Sequence, residues 1–481
     1  MDYSKYESVI GLEVHVQLQT KSKLFSSDAN QFGRHPNTQV NAITLAHPGT
    51  LPKINKKAVE YAVKMGIACN CNIESLNCFA RKNYFYPDLP KGYQISQHTT
   101  PICVGGYVTI IVNGEEKQIQ LNRIHLEEDA GKSIHDAVDG FTCLDYNRAG
   151  TPLIEIVTEP CIHSAEEAFQ YLTEIRKLVR WIEISDGNME EGSLRCDANI
   201  SIRPTGSSEL GTKVEVKNLN SIRNVKKAIE HEIERMIKLV EEGGMVTQQT
   251  RSFDATNDTT FAIREKEEAN DYRYFPDPDL VPFFINQSYI RAIEKSLPAL
   301  PHALKSSFQT NYGLSTYDAH QLCEDKHTAF YFMATTNYSR NYKAIANFIL
   351  GPLKQHVNEL GIDFEKLSLF PETLAGVIAL IDDGKINFST AANKLLPAII
   401  NNNNNPALTA EKLNLIQVSS EDAIITWVQQ VINAMPDKVN EYKKGKKGLM
   451  GLFVGEVKKI SKGKADPKLT TSTFEKILNQ Q

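Results

Sequence analysis

The chain has 481 residues, enough for about three domains at ~150 residues each, which excludes a single small binding module. Its 53 Lys plus Arg against 58 Asp plus Glu leave a formal charge of -5, which excludes a protein committed as a whole to electrostatic nucleic-acid binding but not a local basic patch. The 41% hydrophobic fraction, about 47% once the 27 glycines are added, is that of an ordinary globular protein with sizeable cores.

Met1 to Tyr6 lacks the charged-then-apolar order of a secretory signal, and no apolar run approaches the ~20 residues of a membrane helix, so a cytoplasmic protein with no membrane partner is expected. From Val9 to Leu18, period-2 geometry places Glu13, His15 and Gln17 on one strand face and Leu12, Val14, Val16 and Leu18 on the other. Cys69, Cys71 and Cys78 have C-x-C-x6-C spacing without the second close pair of a zinc ribbon, so reduced structural thiols are expected. The basic-aromatic stretch Arg81 to Asp88, like Asp271 to Pro278 further on, suits either stacking on a base beside a phosphate or a Tyr-rich turn packed on a neighbouring core; Lys82 is the best phosphate-facing cation.

Glu127, Glu128 and Asp129 concentrate acidity, as do Glu190 and Glu191. The adjoining Ala130-Gly131-Lys132-Ser133 is not a P-loop, because Leu126 stands where its upstream glycine is required. Ser164 and Glu167 form a capping box for a helix continuing through Leu172, Ile175, Val179 and Ile182. From Leu194 to Arg203 the alternation returns, with Arg195, Asp197, Asn199, Ser201 and Arg203 on one face, and again in Lys213, Glu215 and Lys217. The loop from Pro204 to Gly211 predicts a hairpin joining these strands. A second helix is expected from about Asn220 or Ser221 to Gly243-Gly244, with Ile222, Val225, Ile229, Ile233, Ile237 and Val240 in one stripe.

Around Ser296 to Pro301 the alternation stops and short helices follow; the polar run Asn401 to Asn405 before Pro406 is a second break. These define an expected α+β domain over 1–295 with a mainly antiparallel sheet, a helical domain over 296–405 and a small helical tail over 406–481. Residues 437–481 hold 11 Lys and 5 Asp plus Glu, a net of +6 that leaves -11 on the rest. The cluster Lys443, Lys444, Lys446, Lys447, Lys458 and Lys459 is either a solvated charge run or an RNA-backbone contact.

An antiparallel sheet with one wet face needs no function to explain its polar alternation. Here, however, the polar positions carry His, Asp, Glu, Asn and Arg more than Thr, Lys and Ser, which points to chemistry. If the carboxylates converge, each pair about 4 Å apart repels by ~4 kcal/mol at an effective dielectric near 20 and demands a cation. Oxygen donors favour Mg²⁺ or Mn²⁺, with His15 as a nitrogen ligand, and Mg²⁺ in turn suggests a nucleotide phosphate.

The segments Ile10 to Val16, Arg81 to Gln97, Leu126 to Ser133, Asp145 to Pro160, Met189 to Arg203, Gly211 to Ser221, Asp271 to Asp279 and Gly448 to Pro467 resemble the B-subunit family of bacterial-type glutamyl/aspartyl-tRNA amidotransferases. The stretch over about 283–435 matches mainly in length. The resemblance implies a catalytic cradle, a helical middle domain and a helical tail. It also implies ATP-dependent phosphorylation of the carboxylate of Glu on tRNA(Gln) or Asp on tRNA(Asn), followed by amidation with ammonia channelled from a partner amidase A subunit, with a small C subunit joining the two. By family pattern, Glu13, His15, Lys82, Glu127, Glu128, Asp197 and Glu215 are the expected catalytic residues. Of these, His15, Glu128, Asp197 and Glu215 are the expected Mg²⁺ ligands, and Lys82, Arg195, Asn199 and Lys217 the expected ATP-facing groups. No Cys-His or Ser-Lys nucleophile constellation for hydrolysing glutamine is recognisable, which agrees with an amidase on another chain. A non-catalytic tRNA-binding scaffold and a free-standing ligase are the alternatives.

Overall fold

The computed structural model describes residues 3–265, 272–416, 421–461 and 465–480; Asp271 and Lys462 to Lys464 of the quoted motifs lie outside them. The chain divides into two compact units, residues 1–300 and 301–481. The first is α+β and the second is helical, the class read from the sequence.

The first unit is built on a thirteen-stranded sheet. Ten of its strands form one continuous path, and in chain order they are β1 (Tyr6–Gln17), β2 (Ala80–Asn83), β3 (Tyr93–Ser96), β4 (Glu115–Glu128), β5 (Pro152–Thr158), β6 (Leu194–Pro204), β7 (Val214–Leu219), β8 (Gln249–Asp254), β9 (Thr259–Glu265) and β10 (Arg273–Pro276). Their spatial order is β9-β8-β7-β6-β1-β5-β4-β3-β2-β10, antiparallel at every step except the parallel β7–β8 pair. Strands β6 and β7 pair as the hairpin that the loop after Pro204 predicts.

Three helices, α1 (Lys56–Ala68), α2 (Ala165–Trp181) and α3 (Ile222–Glu241), are started by Asn55, Ser164 and Ser221, whose side chains accept backbone N–H groups of the first turn. The capping box takes a variant form. Ser164 accepts from the Glu167 N–H, while the Glu167 carboxylate accepts from the His163 N–H rather than from Ser164. The inward residues of these helices, including Val63, Leu172, Ile175, Val225 and Ile229, are buried, as are Leu12, Val14 and Val16 on the apolar face of β1. Each such aliphatic side chain contributes about 1.5–3 kcal/mol. This one-sided core leaves the other face of the central strands free to carry polar groups.

Lys23 is fully buried, its Nζ donating to the Tyr146 carbonyl at 3.3 Å. Burial pulls its pKa down to about 8 against the raising influence of Asp28 and Glu128. Below pH 8 the folded chain therefore carries a desolvated charge that the unfolded chain keeps in water, and that cost shrinks as pH rises from about 8 to 10.5. Lys23→Met is expected to raise the melting temperature at pH 7, by up to about 3 kcal/mol of stability. Thermal unfolding at pH 7 and pH 10 checks it, with the advantage shrinking at the higher pH.

The second unit holds one apolar core around Phe308, Phe332, Phe348, Leu374 and Ile378, and a second around Ile424, Val428, Phe453, Val457 and Phe474. The Asn401–Asn405 run is an ordered turn: Asn403 accepts the Phe370 N–H at 2.6 Å, and Asn405 caps the helix Pro406–Lys412. Among the described residues no helix is long and apolar enough to cross a membrane.

Candidate active site

Directly opposed residues of paired strands project to the same side. Across β6, Glu13 faces Asp197 and His15 faces Arg195; across β5, His15 faces Glu155. Glu155 in turn faces His125 on β4, and Leu153 faces Glu127. The row continues from Glu127 to Ser96 on β3, from Gln94 to Lys82 on β2 and from Lys82 to Tyr274 on β10. On the other flank Asn199 faces Glu215. One sheet face thus gathers polar residues from segments some 200 positions apart in the chain.

The carboxylates that the sequence reading left unassigned between a metal and a channel form two groups. Glu13 and His15 are two positions apart on β1, about 7 Å, and each draws its neighbours from a different side. The first group is His15, Glu127 and Glu155, whose ligand atoms all lie within 4.8 Å of one another. His15 Nε2 is 3.6 Å from Glu127 Oε1 and 3.5 Å from Glu155 Oε2. Burial opposes charge on His15, but Glu155 and Glu127 outweigh it and raise its pKa to about 9. Burial likewise pushes Glu155 up, and the His125 and His15 imidazoles overcome this and hold its carboxyl well below the usual range. A compact set of two carboxylates and one imidazole fits a hard divalent cation with some tolerance for a nitrogen ligand.

The second group is Glu13, Asp197 and Glu215, also mutually within 4.8 Å. Lys217 Nζ sits in it, 2.8 Å from Asp197 Oδ2 and 3.2 Å from Glu215 Oε1. Burial disfavours the Lys217 charge, yet Asp197 and Glu215 raise its pKa. Asn199 Nδ2 donates to Glu13 Oε1 at 2.9 Å, and Thr250 Oγ1 donates to Glu215 Oε2 at 2.8 Å. Burial, then the nearby charges of Glu155 and Asp197, raise the pKa of Glu13. Asn199 and Lys217, expected to face the nucleotide, are therefore engaged by carboxylates of this group.

Glu128 joins neither group. Strand alternation turns it to the face opposite Glu127, where it lines a small cleft with Leu89, Tyr93 and Gly150. There it pairs with Lys91 Nζ at 2.5 Å and accepts the Ile95 N–H at 3.0 Å. Both side chains of the pair are under 10% exposed. The expected ligand set of His15, Glu128, Asp197 and Glu215 thus does not come together, and Glu155 occupies the place beside His15.

Lys82 is half-buried with its ammonium 4.5 Å over the Tyr272 ring and 5.8 Å from that of Tyr84. Burial lowers its pKa, but Glu127, the tyrosines and Glu155 outweigh this and raise it above the ordinary value. Its neighbour Arg81 instead pairs with Asp277 and Asp279. Arg195 pairs with Asp129 Oδ2 at 2.8 Å, an oxygen that also accepts from Gln17. Glu155 and His125 are site residues that the sequence reading did not select, and Asp129 was named there only within the acidic run. Their signals were a lone charge within an apolar strand and the alternation Arg123, His125, Glu127 against Ile124 and Leu126. In the tail, all six lysines from Lys443 to Lys459 are exposed; Lys446 pairs with Glu441, Lys459 with Glu456, and Lys447 lies over the Tyr442 ring.

Residues 8–291 match a family model described as the GatB/GatE catalytic domain, and residues 330–478 match one described as the GatB domain. The chain is 48% identical over 476 residues to the B subunit of the aspartyl/glutamyl-tRNA(Asn/Gln) amidotransferase of Thermodesulfovibrio yellowstonii, covering 99% of this chain and 100% of that one. It is 47% identical to the protein of that name from Thermoanaerobacter pseudethanolicus, with the same coverage. Against that of Persephonella marina it is 48% identical over 98% of this chain and 100% of the relative. With its catalytic-domain match spanning more than half the chain and its relatives aligned end to end, this chain belongs to the B-subunit family of the aspartyl/glutamyl-tRNA(Asn/Gln) amidotransferases.

Proposed function

We propose that the chain, as the B subunit of a heterotrimer with an amidase A subunit and a small C subunit, uses ATP to activate the side-chain carboxylate of Glu on tRNA(Gln), Asp on tRNA(Asn), or both. A carboxylate oxygen bonds to the γ-phosphorus as the bond to ADP breaks. Ammonia, released from glutamine on the A subunit and brought through an internal channel, then bonds to the acyl carbon while inorganic phosphate leaves, giving the amide. The observation that carries this reading is the polar sheet face, where one carboxylate group is built around an imidazole and the other around an ammonium.

The two groups support a division of labour. His15, Glu127 and Glu155 would hold Mg²⁺, for which Mn²⁺ can substitute, and the cation would neutralise charge on the transferring phosphoryl oxygens. Lys82 and Arg195, each steadied by the residues around it, flank this group and supply cations for the remaining phosphate charge. Asp197 and Glu215 already accept from the Lys217 ammonium, so their spacing suits N–H donors of that geometry. Glu13, with its raised pKa, suits the removal of a proton from an arriving ammonium. Keeping the acyl phosphate from water is the other task of such a site. A tRNA substrate supports a cytoplasmic reaction.

The test is the assembled complex with Glu-tRNA(Gln) and γ-labelled ATP. Without glutamine it is expected to form ADP and a labelled acyl phosphate in a Mg²⁺-dependent way; with glutamine it is expected to yield Gln-tRNA(Gln). A complex that binds charged tRNA with a salt-dependent affinity but cleaves no ATP is a scaffold, and the proposal fails. Turnover of a small carboxylate without tRNA or partners would also defeat it.

For the tail we propose that the lysines neutralise backbone phosphates of the tRNA. Lys443→Ala with Lys444→Ala is expected to weaken tRNA binding and to reduce the slope of log K against log salt by about 0.7–0.9 for each phosphate no longer neutralised. Filter binding at three or more salt concentrations checks this, and an unchanged slope counts against the proposal.

A further inference from the structure

A second imidazole stands against the Glu127–Glu155 pair. His125 is 3% exposed and lies directly opposite Glu155 in the β4–β5 register. Its Nε2 is 3.5 Å from Glu127 Oε2 and 3.4 Å from Glu155 Oε2. Its other ring nitrogen, Nδ1, is buried with no hydrogen-bond partner among the described residues. A neutral imidazole has one proton to place. On Nδ1 it would be an orphaned buried donor, at a cost of ~1–3 kcal/mol. On Nε2 it lies on the ring nitrogen nearest the Glu127 and Glu155 carboxylates, 3.5 and 3.4 Å away. Nε2 therefore carries a proton whether the ring is neutral or charged, and has no lone pair for a metal.

We propose that His125 is a positioning residue, an Nε2–H donor that holds the Glu127 and Glu155 carboxylates in the orientation in which they and His15 receive the divalent cation. The inference rests on the metal reading above and extends it by separating the two histidines, His15 as a ligand and His125 as the group that orients ligands. Outer-shell partners of this kind typically change metal affinity by ~10–100-fold.

The experiment uses the full-length chain in its complex, Mn²⁺ as the probe, and electron paramagnetic resonance to read affinity and the number of directly bound nitrogens. Native protein is expected to bind Mn²⁺ with one coordinated nitrogen, absent in His15→Gln. His125→Leu is expected to weaken binding by about 10–100-fold while keeping that nitrogen. His125→Gln, whose side-chain amide donates from nearly the same place as imidazole Nε2, is expected to recover most of the affinity. Two nitrogens in the native protein, one lost in His125→Gln, would make His125 a ligand and overturn the inference. Equal affinity in native and Leu variants would overturn it as well. If the Leu variant does not fold, the Gln variant decides: a retained nitrogen and near-native affinity support the positioning role, and a lost nitrogen overturns it. Failure of the native protein to bind Mn²⁺ defeats the metal reading itself, a result distinct from Mn²⁺ binding that ignores His125.

Discussion

Replacing Glu127 or Glu155 with glutamine is expected to lower the rate of acyl-phosphate formation by about 10²–10³-fold, the scale of removing one preorganised electrostatic element from a buried site. The two carboxylates share the His15 imidazole as the third ligand, and a divalent cation held by all three would bring the charge of the group close to neutral. Deleting one carboxylate removes a ligand and also leaves His15 with a single anionic partner, so Mn²⁺ affinity falls together with the rate. Single-turnover assays with γ-labelled ATP and Glu-tRNA, run beside Mn²⁺ titration, separate this from a defect in tRNA binding. Glu128→Gln provides the contrast. Its carboxylate is spoken for by Lys91 and the Ile95 N–H on the other side of the sheet. That variant is expected to keep native Mn²⁺ affinity and to lose about 3 kcal/mol of stability, because Lys91 is left as an unpaired buried charge. Loss of Mn²⁺ binding in Glu128→Gln with retention in Glu127→Gln would reverse the assignment.

The adjacent pair Glu127–Glu128 also shows where a sequence reading stops. Alternation on β1 and β6 was visible because each strand carries several polar groups in strict period 2 against aliphatic neighbours, but the register that sets Glu13 opposite Asp197 was not. Two neighbouring acids at a strand end have opposite parity, and composition alone does not say which one faces the site. The parity was recoverable from Arg123, His125 and Glu127 alternating with Ile124 and Leu126, which extends to the end of β4. Glu155 was harder to find. Leu153, Ile154, Ile156 and Val157 surround it, so β5 reads as a continuous apolar strand with one interruption rather than as an equipped face. Such a strand is central in the sheet, and its single charge is stabilised mainly by His15 and His125, which are contributed by strands some 140 and 30 residues away. The division into two carboxylate groups was similarly invisible, because it depends on which neighbour lies on each side of β1.

Glu13→Gln is expected to leave ATP-dependent acyl-phosphate formation near native while slowing glutamine-dependent amidation by about 10²-fold or more, the usual contribution of a general base. Glu13 is the member of its group best suited to take up a proton. Lys217 is paired with Asp197 and Glu215, whereas Glu13 accepts from the uncharged Asn199 amide and has its pKa raised by burial and by its acidic neighbours. An ammonium that reaches it can pass one proton to the Glu13 carboxylate and continue as ammonia, whose free lone pair is what the acyl carbon requires. The glutamine side-chain amide of the variant keeps the size and the hydrogen bond with Asn199 but cannot accept that proton. The defect should therefore shrink as the pH is raised and more of the incoming nitrogen is already unprotonated, and it should shrink without any change in the ATP half-reaction. Measuring both half-reactions across pH gives a signature that a general loss of folding would not produce. If Glu13→Gln instead stops acyl-phosphate formation and weakens Mn²⁺ binding, the second group is a cation site for the nucleotide, and the relay of protons lies elsewhere on the sheet face.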